Sequence, residues 1–177
     1  AVDKAIAKLG FVPNPVARSL PVVGTGRNLN APNPLALDFN NREGARQATR
    51  HLIDLGHRRI AFIGGVAEHP DAVERQHGYR AAIEAAGLRI EPTLVVPGAF
   101  TEHSGLLAVE QLLERRTRFS AIFAANDQMA IGATLGLYRH GLRVPDDVSL
   151  VGFDDVAGAL YMVPPLTTVH HPIQELG

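Results

Sequence analysis

Carboxylates, carboxamides and one aromatic ring recur at a fixed place in this 177-residue chain, just after short runs of β-branched and aliphatic residues. Asn40-Asn41 follows the run Leu35 to Phe39, Gly64-Gly65 follows Arg59 to Ile63, and Pro97 to Phe100 follows Thr93 to Val96. Asn126-Asp127 then comes after Ser120 to Ala124, Asp154-Asp155 after Val148 to Gly152, and His170-His171 after Thr167 to Val169. A carboxylate accepts from vicinal hydroxyls, a carboxamide both donates and accepts, and an aromatic face packs on C–H groups. That set suits a neutral, polyhydroxylated, sugar-sized molecule. Singly, Asn126 and Asp154 read more simply as caps of the turns that follow them. Together on one edge they favour a pocket.

Catalytic and metal chemistry finds less support. Serine occurs at Ser19, Ser104, Ser120 and Ser149, never inside G-x-S-x-G, so the nucleophile elbow of an α/β hydrolase is missing. Gly24-Thr25-Gly26-Arg27-Asn28-Leu29 starts like a dinucleotide loop but lacks the third glycine and leads to a strand, not a helix. No phosphate-binding P-loop is present. The chain has no cysteine, which removes disulfides, thiolate catalysis and cysteine-ligated zinc. Its 8 histidines include no H-E-x-x-H, and His170 and His171, adjacent on a strand, point to opposite sides. Asp154-Asp155 is a weak magnesium signal without a phosphate loop. We therefore expect no catalytic residue, no metal ligand and no cofactor.

The elements that must position these residues alternate along the chain. Strands are expected at Pro21 to Val23 and at the six runs named above, with helices at Glu43 to Leu55, Ala72 to Ala86, Glu102 to Arg115 and Asp127 to His140. Short apolar runs alternating with helical periods mean an α/β fold, a parallel sheet flanked by helices, and seven strands fit one sheet. Ligands of such sheets bind beyond the carboxyl ends of the strands, where the polar residues collect. Gly56, Gly87 and Gly141 each follow the last periodic residue of a helix and mark left-handed caps. Ala45, Ala48, Leu52 and Leu55 form one helical stripe, and Ile60 to Ile63 is continuous enough to be a strand buried on both faces. The first 20 residues differ. An amphipathic helix tail ends at Gly10, and a short segment, Asn14 to Leu20, starts with a capping Asn14 and with Pro15 in its first turn. Lys4, Lys8 and Arg18 against Asp3 give this piece a net charge of +2 in a chain whose total is -1.

Composition sets the outer limits. With 46% hydrophobic and 20% charged residues, neither a disordered tail nor a fibrous polymer is plausible. The charge of -1 is too balanced to coat nucleic acid or an anionic membrane, so any nucleic-acid contact must be local. No apolar run reaches the roughly 20 residues of a membrane span, and Ala1 to Leu20 lacks a signal peptide's order. A cytoplasmic protein without a membrane partner is expected.

Five stretches in order carry a resemblance. They are Leu9-Gly-Phe-Val-Pro-Asn-Pro-Val-Ala-Arg-Ser-Leu20, His51-Leu-Ile-Asp-Leu-Gly-His-Arg-Arg-Ile60, Ala125-Asn-Asp-Gln-Met-Ala130, Val144-Pro-Asp-Asp-Val-Ser-Leu-Val-Gly-Phe-Asp-Asp155 and Pro164-Pro-Leu-Thr-Thr168. Together they resemble the LacI/GalR family of bacterial transcriptional repressors. The resemblance implies that residues 1–20 are the end of a helix-turn-helix headpiece and a hinge helix. Residues 21–177 would then be the effector-binding core, mainly one incomplete lobe like those of periplasmic sugar-binding proteins. It also implies that Leu20-Pro21 is a junction where a first lobe is omitted, and that Gly177 precedes the family's last helix and strand. It makes Arg75, Phe100, Asn126 and Asp154 effector contacts. His171 stands where relatives carry Gln, which would make binding depend on pH near neutrality. Asn14, Ala17, Arg18 and Leu20 become the DNA-facing residues, with Leu20 a wedge between base steps and Arg18 near the phosphates.

Blander readings stand beside each of these. Arg75 could make an exposed ion pair with Glu74 or Asp71. Phe100 could be ordinary core, and Leu20 part of a linker. The function implied is a sugar-responsive repressor acting on operator DNA as a homodimer. A sugar-binding protein for transport or chemotaxis is the first rival. An enzyme on a sugar or sugar phosphate, using Asp154 and Asp155, is the second.

Overall fold

The computed structural model describes the backbone at 22–25 and 34–37, and backbone and side chains at 40–170. The expectations for Asn14, Ala17, Arg18, Leu20, the Leu20-Pro21 junction and His171 lie outside the described residues. Two compact units divide at Phe39/Asn40. In the first, β1 (Val22–Thr25) and β2 (Pro34–Leu37) pair in parallel from Val22 opposite Pro34 to Thr25 opposite Leu37.

The second unit holds β3 (Ile60–Ile63), β4 (Val95–Val96), β5 (Ala121–Ala124), β6 (Ser149–Asp154) and β7 (Thr167–His170). They form one parallel sheet in the order β4-β3-β5-β6-β7. This corrects the single seven-stranded sheet expected from the sequence, since β1 and β2 pair with each other in a sheet of their own. An apolar run specifies that a strand is buried, but sheet membership depends on backbone pairing, which leaves no local trace.

The helices are α1 (Asn41–Asp54), α2 (Pro70–Ala85), α3 (Glu102–Glu114), α4 (Asp127–Arg139) and α5 (Ala157–Leu160). The starts of α1 to α4 follow from side-chain caps. Asn40 accepts from the Glu43 N–H, His69 from Asp71 with Pro70 in the first turn, and Asn126 from Met129; Thr101 and Ser104 form a reciprocal capping box. Gly56, Gly87 and Gly141 end α1, α2 and α4 at φ of 96°, 67° and 74°, left-handed as expected. The four-residue α5 falls in a segment that sequence periodicity leaves blank, and a short 3-10 turn, Pro92–Leu94, corrects the strand expected from Thr93, since only Val95 and Val96 pair in the sheet.

Alternation along the strands divides the core between two faces. Phe62 and Phe123, paired in register, lie 5.4 Å apart between ring centroids, and Phe62 stacks on Tyr79 of α2 at 4.9 Å. Phe153 continues this face toward α1, where a Cβ on Gly44 would stand 2.9 Å from its ring. Neighbouring positions face the other way: a Cβ on Gly152 would overlap the Asp127 carboxylate of α4. Gly105 and Gly132 let α3 and α4 cross backbone to backbone, since a Cβ on either would overlap the partner helix's main chain. At the outer edge, β4 is two residues long, and Arg115 Nη1 donates to the Thr93 and Val95 carbonyls at 3.2 and 3.3 Å.

The order places β4 on one side of β3 and β5 on the other. A topological switch point therefore falls between β3 and β5, and a crevice is expected at their carboxyl ends.

Candidate ligand-binding site

Arg75, on the second turn of α2, reaches across that switch point. Its Nε donates to Asn41 Oδ1 at 2.8 Å, its Nη1 to the Ala125 carbonyl at 2.6 Å, and its Nη2 lies 3.0 Å from Asp154 Oδ1. The guanidinium carbon sits 3.8 Å over the Phe153 ring, a cation–π contact. Only 4% of the side chain is exposed. The exposed pair with Glu74 or Asp71 does not form: Glu74 lies 3.7 Å from His77 instead, and Asp71 accepts from Asn41 Nδ2 at 3.1 Å.

Burial pushes the Arg75 guanidinium down from its ordinary value, against the opposing pull of Asp154. It also pushes the Asp154 carboxyl up, with Arg75 holding it back. Each group thus offsets the desolvation of the other. Asp154 ends β6 at a φ of 111° and Asp155 follows at 57°, two successive non-glycine residues with positive φ. Such conformations cost on the order of 1–3 kcal/mol each and persist where surrounding contacts over-determine them.

Asn126 is the helix cap that the simpler reading expects. Its Oδ1 caps α4 by accepting from Met129 N at 3.0 Å, while Nδ2 donates to the Phe100 carbonyl at 3.2 Å and to Gln128 Oε1 at 2.7 Å. Phe100, at a φ of 60°, is half-buried against the core, its ring over Gly65, where any Cβ would overlap it. Its outer side meets His69 edge-on at 5.3 Å. One chain of contacts therefore joins all four expected residues: Asp154 to Arg75, Arg75 to Ala125, and the neighbouring Asn126 to Phe100. They converge on the carboxyl ends of β3, β5 and β6. His170, directly opposite Asp154 in the sheet, holds Asp155 with its Nδ1 2.7 Å from Oδ2.

Sequence reasoning did not single out Asn41, Phe153, Asp127 or Thr168. Asn41 and Asp127 lay inside strand-end pairs already noted, and that position was the available signal. Among the described residues, no group of three or more His, Cys, Asp or Glu could hold a metal ion, and no helix is long and apolar enough to cross a membrane.

Residues 49–177 match the family model of a periplasmic binding protein-like domain. A solved regulatory protein of the LacI family from Chloroflexus aggregans superposes with a TM-score of 0.79 at 30% identity, covering 98% of this chain and 68% of that one. The chain belongs to the LacI family. Among curated LacI-family relatives, the HTH-type transcriptional regulator CelR of Thermobifida fusca is 44% identical over 160 residues, 89% of this chain and 47% of that protein. A solved CelR–cellobiose complex superposes at a TM-score of 0.79 with 44% identity, covering 86% of this chain and 47% of that one. The chain spans about half the length of the curated relatives it matches.

Proposed function

We propose that this LacI-family chain is part of a transcriptional repressor whose activity a sugar-like effector controls. The observation that carries the reading is the contact chain of Asp154, Arg75, Asn126 and Phe100 at the switch point. It offers an acceptor, cationic donors, a carboxamide and an aromatic edge to one small volume. Cellobiose bound to the similar CelR favours a hydroxyl-rich ligand here. His171 would add a titratable contact. Residues 21–177 supply the effector-binding core and 1–20 the link to the headpiece, with Asn14, Ala17, Arg18 and Leu20 facing operator DNA in the cytoplasm. The ligand is bound and released unchanged; its preference for one arrangement of the core alters how the hinge orders on DNA.

A homodimer agrees with the exposed apolar side chains of α4 and the segment after β6. Leu135 and Tyr138 stand 45% and 74% exposed, and Val163 94%. Thr134 shares a hollow with Met162 and Val163, so the two stretches adjoin.

The test is differential scanning of the full-length protein against cellobiose, ribose, other sugars and nucleosides, since a specific ligand raises the melting temperature by mass action. A shift with a phosphorylated or acidic compound, and with no neutral sugar, overturns the assignment. Turnover of a sugar that Asp154→Asn abolishes while binding survives favours the enzyme rival.

A further inference from the structure

Asp127 is 0% exposed, although an acid in the first turn of a helix ordinarily faces water and the positive end of the helix dipole. A buried carboxylate is costly unless hydrogen bonds replace its water. Here they come from beyond the helix: Val156 N donates to Oδ2 at 2.9 Å and Thr168 Oγ1 to Oδ1 at 2.6 Å. Thr168 Oγ1 in turn accepts from Asp155 N at 3.4 Å. On the near side, Oδ1 fills the space that a side chain on residue 152 would claim, so glycine is required there. One carboxylate therefore touches β6 before the turn, the turn after it, and β7 beside it. Enclosed between these contacts are Phe153, on which the Arg75 guanidinium rests, and the two left-handed residues Asp154 and Asp155.

We propose that Asp127 is a positioning residue of the ligand site: by clasping residues 153–155 from both sides it fixes where the Asp154 carboxylate stands against Arg75, and so which hydroxyl geometry the site accepts. This rests on the reading of Asp154 as a ligand contact. Asp127 is fully buried and acts through the placement of residues 153–155, Asp154 above all, whereas a general packing role would act whatever residue stands at 154.

The experiment uses the full-length protein with Asp127→Ala, Asp127→Asn, Thr168→Val, Asp154→Asn and the Asp127→Ala/Asp154→Asn pair. Amide hydrogen exchange is followed first without sugar. Exchange at Asp155 and Val156 should quicken at least tenfold in Asp127→Ala, with Ile122 and Phe123 of β5 unchanged; unaltered exchange at Asp155 and Val156 overturns the proposal. Cellobiose affinity is then measured by calorimetry. Asp127→Ala should weaken it at least tenfold against the parent and less than twofold in the Asp154→Asn background; equal losses in both overturn the proposal. If Asp127→Ala does not fold, Asp127→Asn, which keeps an acceptor for Val156, and Thr168→Val carry the same measurements. A parent protein that binds no sugar of the panel sinks the sugar reading, and the exchange data then decide the clasp by themselves.

Discussion

Arg75 shows how a charge can sit in a core. Its partners Asp154 and Asn41 and the Ala125 carbonyl replace lost water, and removing the cation takes from Asp154 the charge that offsets its burial. We expect Arg75→Met to cost about 3 kcal/mol, because breaking one side of a buried pair leaves an uncompensated charge. Urea denaturation checks this, and Arg75→Met/Asp154→Leu should recover part of the loss. A second prediction concerns Tyr79, whose hydroxyl donates to the Ile60 carbonyl at 2.9 Å inside the core. Burial pushes its phenol up from 10.0 to about 12. The folded state therefore holds this proton where the unfolded chain releases it, so stability falls as pH rises from the unfolded value to the folded one. The two-unit difference is worth about 2.7 kcal/mol. The gap in unfolding free energy between the parent and Tyr79→Phe should shrink by about 2 kcal/mol between pH 10 and pH 12, and a constant gap contradicts it. The sequence showed which polar residues end the strands. It could not show that Arg75 is enclosed, because its cage comes from three segments far apart in the chain, at Asn41, Ala125 and Phe153-Asp154.

At the level of elements, local chemistry was legible and pairing was not. Helix ends could be read because a cap and a left-handed glycine act within a few residues, as at Asn126 and Gly141. The division of strands between two sheets could not, and neither could α5, whose four residues hold less than two turns of periodicity. Nor does a sequence show why a glycine sits inside a helix. Gly132 invites replacement, since alanine gains about 1 kcal/mol in helix propensity. Yet its Cβ would overlap the Glu102 carbonyl, and two backbones in contact cannot yield as a flexible side chain can. Gly132→Ala should therefore destabilise by about 1–3 kcal/mol net. A lower urea midpoint with an unchanged slope is the expected result, and a raised midpoint contradicts the close crossing of α3 and α4.

For the whole protein, the expected homodimer makes a direct prediction. Leu135→Glu and Tyr138→Glu alter exposed side chains and should leave unfolding of the core within about 0.5 kcal/mol of the parent. In sedimentation of the full-length protein they should turn a dimer into a monomer, and an unaltered dimer moves the interface elsewhere. The outer margin of the five-stranded sheet has a different consequence. With β4 so short and Arg115 occupying the Thr93 and Val95 carbonyls, a foreign strand finds little backbone there on which to add. That guanidinium takes up two carbonyls that an added strand would need along this margin.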